Sequence, residues 1–465
     1  MNSLQTGMIR ILFANGINLL ISVISGFILP KYLSVNTYAM IKTFQLYLTY
    51  IGFFHFGFID GIYLKYGGKE FESLNEKELN NHLNFLRTFQ LLITVLISMF
   101  SLFMNDYILF FFSLSLIPIN LTTFYKYIYQ ATGEFLKYSK ILNLNSFFVI
   151  LSNLILLFLF RVQDYKIYIF ILFLVNVLVL FIVEYNIKDI IDIKYKIQIN
   201  LEEVYYIKDG FFLMIGNFSS IIMTSMDRWF IKLLLTVKDF AVYSFAVSIE
   251  VILNTFISPL TITLYNYFCK NNEKKTICHL RLYCVIFSSY LIAPAFVIKF
   301  IILKFLTKYN ESINIIFILF AAQFFTIIVK SIYINLYKTY KMQNKYFFRL
   351  MIVLLIACIL NILFYNILKE NISFACATLC SSVIWLILCN YDFRHININI
   401  KEIIYMSLTI IVFIVLGFSH FTLLSLFFYL SIILILQLTL FYRQLKFIYS
   451  YLLKLFLKSN DRKKC

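Results

Sequence analysis

Charge is scarce in this chain. Asp, Glu, Lys and Arg make up only 14% of its 465 residues, 61% are hydrophobic, and the mean hydropathy is +0.84. A soluble domain keeps more charge on its surface, so most of this chain belongs in lipid. Several signatures are also missing. There is no GxxxxGK[ST] phosphate loop, no GxSxG elbow and no HExxH pair, which excludes ATP hydrolysis by the chain itself and argues against catalysis. The five histidines (His55, His82, His279, His395, His420) show no metal-ligand spacing. The eight cysteines fall in apolar segments, at helix ends or in the C-terminal tail, and read as small reduced core residues rather than bridges or ligands. Cys376 and Cys380 share a helix face, but no His or acid joins them there. We expect no cofactor, no metal and no enzyme activity. The first apolar stretch is too long for a cleavable signal and is expected to remain as a span.

What is present is a succession of apolar segments long enough to cross a bilayer as helices, about fourteen in all. Spans 1 to 6 are placed at 8–33, 38–63, 86–105, 107–130, 141–160 and 166–185. Spans 7 to 12 follow at 206–234, 240–268, 281–305, 312–337, 348–367 and 372–392, and spans 13 and 14 at 402–419 and 422–442. The net charge of +18 is distributed as a topology device. With the N-terminus inside, alternate loops collect roughly 29 of the basic residues and the opposite side about ten. Lys65, Lys69, Lys77 and Arg87 mark one inner loop. Lys188, Lys194 and Lys196 mark a second, Lys270, Lys274, Lys275 and Arg281 a third, and Lys338, Lys341, Lys345 and Arg349 a fourth. Both termini are then cytoplasmic, the excess charge meets anionic membrane lipids, and no nucleic acid is required as partner. The segment ESLNEKELNNHLNFLR is expected to lie as a short amphipathic helix at the inner surface.

The chain also repeats itself. Residues 13–41 recur without a gap about 202 positions later, with Asn15, Asn18, Ser22 and Ser25 aligned to Asn217, Ser220, Thr224 and Asp227, and LSVNTYA aligned to LTVKDFA. Tyr129, Lys137 and Tyr138 recur as Tyr337, Lys345 and Tyr346, about 208 positions on. Chance likeness between apolar helices is the bland alternative. Duplication explains similar offsets at two distant places, and it is how many secondary transporters are built. The expected architecture is an all-α polytopic membrane protein. It has an N-terminal lobe (1–200, spans 1 to 6) and a C-terminal lobe (201–395, spans 7 to 12) related by an axis along the membrane normal. Residues 396–465 append spans 13 and 14 and a basic tail.

Ionised groups within spans are costly and mark candidate sites. In span 7, Asn217, Ser220, Thr224 and Asp227 fall at i, i+3, i+7 and i+10 on one helix face, flanked by Arg228 and, a turn on, Lys232. These residues line either a cationic cavity or a helix contact closed by an Asp227–Arg228 ion pair. Asn15 and Asn18 of span 1 lie on the matching stripe, for which close packing through small and hydroxyl residues is the alternative. Lys42 and Asp60 in span 2 and Lys126 in span 4 lie near enough to the span ends to snorkel. Lys330 in span 10 and Glu250 in span 8 lie deeper. Glu250, with Asp60 as a second choice, is the candidate for ion coupling, and Lys42 and Lys330 are candidates for the cavity.

Three stretches carry a family likeness. GFILPKYLSVNTYAMIKTFQLYLTYIGFFHFGFIDGIYLKYGG (26–68), MDRWFIKLLLTVKDFAVYSFAVSI (226–249) and YQATGEFLKY (129–138) resemble polysaccharide repeat-unit (O-antigen, Wzx-type) flippases of the multidrug/oligosaccharidyl-lipid/polysaccharide exporter superfamily. The resemblance covers the helix layout, with sharp motifs in those stretches only. It implies a bacterial inner-membrane flippase that turns an undecaprenyl-pyrophosphate-linked oligosaccharide from the inner to the outer leaflet, for O-antigen or capsule synthesis, by alternating access through a cationic cavity. It further implies that Arg228 helps hold the pyrophosphate or an acidic sugar while Asp227 orients it. A polysaccharide polymerase and a chain-length regulator would be partners. Several members of that superfamily stop at twelve helices; in those that go further, the added pair shelters the lipid tail, the role implied here for spans 13 and 14. The alternatives are a cation-coupled small-molecule (multidrug-type) exporter on the same scaffold and a membrane enzyme of glycan assembly. The latter would need a large outer loop bearing acids, and none is visible.

Overall fold

The computed structural model describes residues 26–187, 201–270 and 273–461, and among them there is helix and turn but no strand. Ten helices among the described residues are long and apolar enough to cross a membrane. The chain is a multi-pass membrane protein. It forms two compact units, Met1–Thr255 and Phe256–Cys465.

The first unit contains α1 (Val35–Leu48), α2 (Phe58–Tyr66), α3 (Glu76–Phe103), α4 (Tyr107–Ala131), α5 (Phe135–Leu154), α6 (Tyr165–Ile187), α7 (Val204–Leu234) and the start of α8 (Val237–Lys270). Its core is an apolar cluster that joins Phe58 and Ile62 of α2, Leu83 and Leu86 of α3, Phe124 and Ile128 of α4 and Val179 of α6. The surface segment expected around residues 72–87 is instead continuous with span 3. Asn75 caps the combined helix by accepting from the Lys77 and Glu78 amides, and His82, Leu83 and Leu86 turn its apolar face into the core.

Span 2 is broken. Between α1 and α2 the chain makes a 3-10 turn at Ile51–His55, then two left-handed residues, Phe56 (φ 51°) and Gly57 (φ 91°). A break at membrane depth leaves carbonyls that lipid cannot satisfy. Gln90 of α3 donates to Phe54 O at 3.0 Å, and Asn120 of α4 holds the Gln90 side chain at 2.8 Å. Beyond the break, α2 meets α7 backbone to backbone, because a Cβ on Gly61 would overlap the Tyr206 carbonyl and one on Gly210 would overlap Gly57 O and Gly61 N.

The second unit contains the remainder of α8, then α9 (Lys274–Leu291), α10 (Pro294–Phe305), α11 (Ser312–Ile328), α12 (Ile334–Thr339), α13 (Gln343–Leu368), α14 (Ile372–Asp392), α15 (Ile400–Phe418) and α16 (Leu423–Asp461). Span 9 bends where Pro294 opens α10. Span 10 passes from α11 to α12 through a π-helical turn, Val329–Tyr333. Spans 13 and 14 both form, and polar contacts weld them to this unit. The Arg281 guanidinium meets the Glu402 carboxylate through two hydrogen bonds of 3.0 Å and also donates to the Ile396 and Asn397 carbonyls. Lys299 closes the end of α15 through Gly417 O (2.9 Å), Ser419 O and Phe421 O (3.1 Å). Tyr405, Ser289, Gln437 and Tyr290 form one hydrogen-bonded chain between α9, α15 and α16. Arg281 is therefore a buried packing residue, 1% exposed, and not the loop charge expected of it.

The repeats in sequence are repeats in local structure. At the first, Ser34 Oγ accepts from Thr37 N at 3.1 Å, and Thr236 Oγ1 accepts from Asp239 N at 3.2 Å. Each turn also bonds Leu33 N to Leu29 O, or Leu235 N to Ile231 O. At the second, Glu134 N bonds Tyr129 O and Met342 N bonds Tyr337 O, both at 2.8 Å. Gly133 (φ 78°) and Lys341 (φ 56°) take the same left-handed conformation. An acid falls at the same spacing near the end of the sixth helix of each repeat. Glu184 takes Arg87 (2.5 Å) and Tyr125 (3.2 Å), and Asp392 takes Arg349 (2.7 Å) and Tyr337 (2.5 Å).

Candidate functional site

The site is built on α7 and the helices around it in the first unit. Asn217, Ser220 and Thr224 are exposed on one face of α7, and polar groups exposed on a spanning helix are retained where they face a hydrated path. Asp227, the next member of that stripe, is turned inward and is 8% exposed. Its Oδ2 accepts from the Tyr243 hydroxyl at 2.7 Å and its Oδ1 from the Arg228 backbone amide at 2.8 Å. The Arg228 side chain reaches back along its own helix to Thr224 O (3.4 Å), and its buried Nε has no hydrogen-bond partner. The closed Asp227–Arg228 salt bridge offered by the sequence is not formed: the carboxylate takes Tyr243 and the Arg228 backbone amide, while the guanidinium turns to Thr224 O and feels the acid only through space.

Two lysines add to that charge. Lys42 of α1 lies over the Tyr38 ring, 5.4 Å from its centroid, and its charge interacts with that of Arg228. Lys232 donates to the Tyr47 hydroxyl and lies 4.1 Å from the centroid of that ring and 5.4 Å from that of Trp229. Tyr47 and Trp229 are stacked, with centroids 5.5 Å apart and planes inclined by 11°. Arg228 thus interacts with Lys42 and with Asp227, and Lys232 with Asp106, three cations to two acids.

At the other end of the stripe, Asn217 Nδ2 donates to Asp60 Oδ1 at 3.1 Å. Asp60 is 2% exposed and does not reach the interface, contrary to the snorkelling expected for it. His55 is 3% exposed, its Nδ1 accepts from Gly57 N at 3.2 Å, and its Nε2 lies 3.7 Å from Asp60 Oδ2. The imidazole proton therefore points at the carboxylate.

Of the remaining sequence candidates, Glu250 is half-buried in the first unit. Lys330 belongs to the second unit and sits half-buried in the π-helical turn, a distortion often found at functional positions. Asn15 and Asn18 lie outside the described residues. Sequence reasoning missed Tyr243, Tyr47 and His55. Only His55, five residues before Asp60, carried a signal that could have been read.

The structure was compared with solved structures. It superposes on "Lipid II flippase MurJ, inward closed conformation" with a TM-score of 0.67 at 15% identity, over 93% of this chain and 98% of that one. The chain has the MurJ fold. A point mutant of the Vibrio cholerae MATE transporter VcmN matches with a TM-score of 0.50 at 12% identity, over 84% of this chain and 96% of that one. At such identities the likeness is one of fold. No family model and no curated protein matches the sequence.

Proposed function

We propose that this chain is a flippase for lipid-linked oligosaccharide repeat units in a bacterial inner membrane, with both termini cytoplasmic, serving O-antigen or capsular polysaccharide synthesis. The repeat lobes, 1–200 and 201–395, would alternate in access, and a polymerase and a chain-length regulator would receive the product. One observation carries this reading: three cations, Arg228, Lys42 and Lys232, outnumber the two acids that interact with them, Asp227 and Asp106. Such a surface suits a pyrophosphate and repels a cationic drug. Asn217 and Thr224 provide hydrogen bonds that replace water around a sugar headgroup, which cannot cross hydrocarbon unaided. Moving an anion outward against a negative interior releases ~2.3 kcal/mol per charge per 100 mV, so the potential alone biases the direction.

A second reading, a cation-coupled small-molecule exporter, is favoured by the buried Asp60–His55 pair. It assigns the coupling proton or cation to Asp60 or Glu250. The experiment that separates the two is Arg228→Ala in the producing cell. The flippase reading expects loss of surface polysaccharide with the protein still present in the membrane. Normal polysaccharide in that variant would remove Arg228 from the site.

A further inference from the structure

Beside the cations lies a groove of about 330 Å³ between α7 and the broken end of span 2, lined by Tyr50, by Phe218, Ile222, Met226, Trp229 and Leu233 along one stripe of α7, and by Phe230 at its side. Those α7 residues recur at i, i+4, i+8, i+11 and i+15, so they form a second stripe on the helix, next to the polar one. The walls are fixed before any ligand arrives. The Tyr50 hydroxyl is 2.5 Å from Ser225 Oγ, the Tyr50 ring packs edge-on against both Phe218 and Trp229, and Tyr47 covers a face of Trp229. Leu233, at the rim, is 75% exposed.

The chemistry of the walls selects the occupant. A sugar needs partners for its hydroxyls and a bare aromatic face. Here the Tyr50 hydroxyl is committed to Ser225, Tyr47 covers one face of Trp229, and the other walls are phenyl rings, aliphatic groups and a thioether, with no polar side chain to receive a sugar hydroxyl. An apolar chain needs neither. Met226 adapts to an irregular branched chain, and the volume falls in the ~300–1,000 Å³ range of small-molecule sites. The adjoining charge fixes what that chain carries. Arg228, with its partnerless buried Nε, immediately precedes Trp229, and Lys232 follows it by three residues.

We propose that this groove holds the phosphate-proximal isoprene units of a polyisoprenyl diphosphate lipid, with the diphosphate on Arg228 and Lys232. The assignment rests on the flippase reading for the identity of the lipid. It adds a chain-binding site in the first unit, separate from the role implied for spans 13 and 14.

The chain has two tryptophans, Trp229 and Trp385, so Trp385→Phe makes the groove wall the sole indole reporter. The purified Trp385→Phe protein in nanodiscs is titrated with geranylgeranyl diphosphate, geranylgeraniol, inorganic pyrophosphate and phosphatidylglycerol. The diphosphate is expected to give a saturable change in Trp229 emission at a concentration at least tenfold lower than any of the others. Adding Ile222→Phe, which fills the groove, is expected to weaken that response about tenfold, with the monodispersity and Tm of the protein retained. A response as strong to phosphatidylglycerol would make this a general lipid groove and overturn the proposal. So would a response unaffected by Ile222→Phe, which would place the chain elsewhere. If Arg228→Ala abolishes surface polysaccharide while Ile222→Phe leaves diphosphate binding intact, the flippase reading survives and this site does not.

Discussion

The Tyr243 hydroxyl donates to Asp227 at 2.7 Å, where the sequence offered an ion pair with Arg228. Asp227 and Arg228 are neighbours in sequence, and a sequence reader pairs them. The carboxylate takes the Tyr243 hydroxyl of α8, while the guanidinium turns along α7 to Thr224 O and feels the carboxylate only through space. Tyr243→Phe removes that donor and leaves a buried carboxylate short of a partner, at a cost of about 1–3 kcal/mol. The variant is expected to lose several degrees of Tm and to export less polysaccharide, as Asp227 becomes available to Arg228. Thermal unfolding in detergent and surface-glycan staining are the measurements. An unaltered glycan level would show that Tyr243 does not govern the charge of Arg228.

The contact between α2 and α7 rests on glycine. Gly210→Ala would drive a methyl group into the Gly57 carbonyl and the Gly61 amide, whereas Gly216, one and a half turns further along α7, has nothing within 4 Å of an added Cβ. Gly210→Ala is expected to reduce the amount of folded protein in the membrane sharply, and Gly216→Ala to leave it near normal. Quantitative immunoblotting of membrane fractions compares them. Equal levels would mean that the two helices part without difficulty.

Arg281 and Glu402 are both nearly sealed from solvent, with side chains 1% and 5% exposed. Removing one partner of such a pair strands the other charge, with a penalty of about 3–5 kcal/mol. Glu402→Ala should therefore lower Tm by much more than loss of an exposed charge such as Lys401→Ala. A similar Tm for the two variants would show that the pair contributes nothing net.

Two carboxyls are candidates for coupling, and they can be separated. Asp60 faces His55 and Asn217, and the phenol of Tyr127 on α4 is near enough to feel its charge. Asp60→Asn and Glu250→Gln each remove one titratable group. If transport is coupled to protons through either, the pH profile of uptake into vesicles should flatten in that variant alone. A profile that persists in both would leave the membrane potential as the driving force.

Much of the fold was legible because bilayer-length apolar runs have few alternatives. The repeated turns were legible because a cap and a left-handed turn must preserve their hydrogen bonds. Ser34 and Thr236, like Gly133 and Lys341, kept the geometry while changing the residue. The break in span 2 was not legible. Its sequence is apolar throughout, and the groups that permit it, Gln90 and Asn120, come from other helices. The arginines misled for a related reason. Arg87, Arg281 and Arg349 lie near span ends and look like loop charges, yet each meets an acid more than forty residues away. At the site, spacing placed Asn217, Ser220 and Thr224 on one face of α7, where they are exposed, but Tyr243 and Tyr47 are two among 34 tyrosines, and nothing local distinguishes them.

The polar weld between spans 13 and 14 and the second unit bears on how such a chain can shrink. The superfamily that the sequence resembles has twelve-helix members, so the last two spans look dispensable, and a premature stop codon near residue 396 would be a simple way to lose them. In this chain that stop would strip a buried guanidinium and a buried ammonium of their partners at once, because Glu402 and the carbonyls that receive Lys299 would vanish together. Shortening by evolution would have to neutralise Arg281 and Lys299 first, so a truncated homologue should carry apolar residues at both positions.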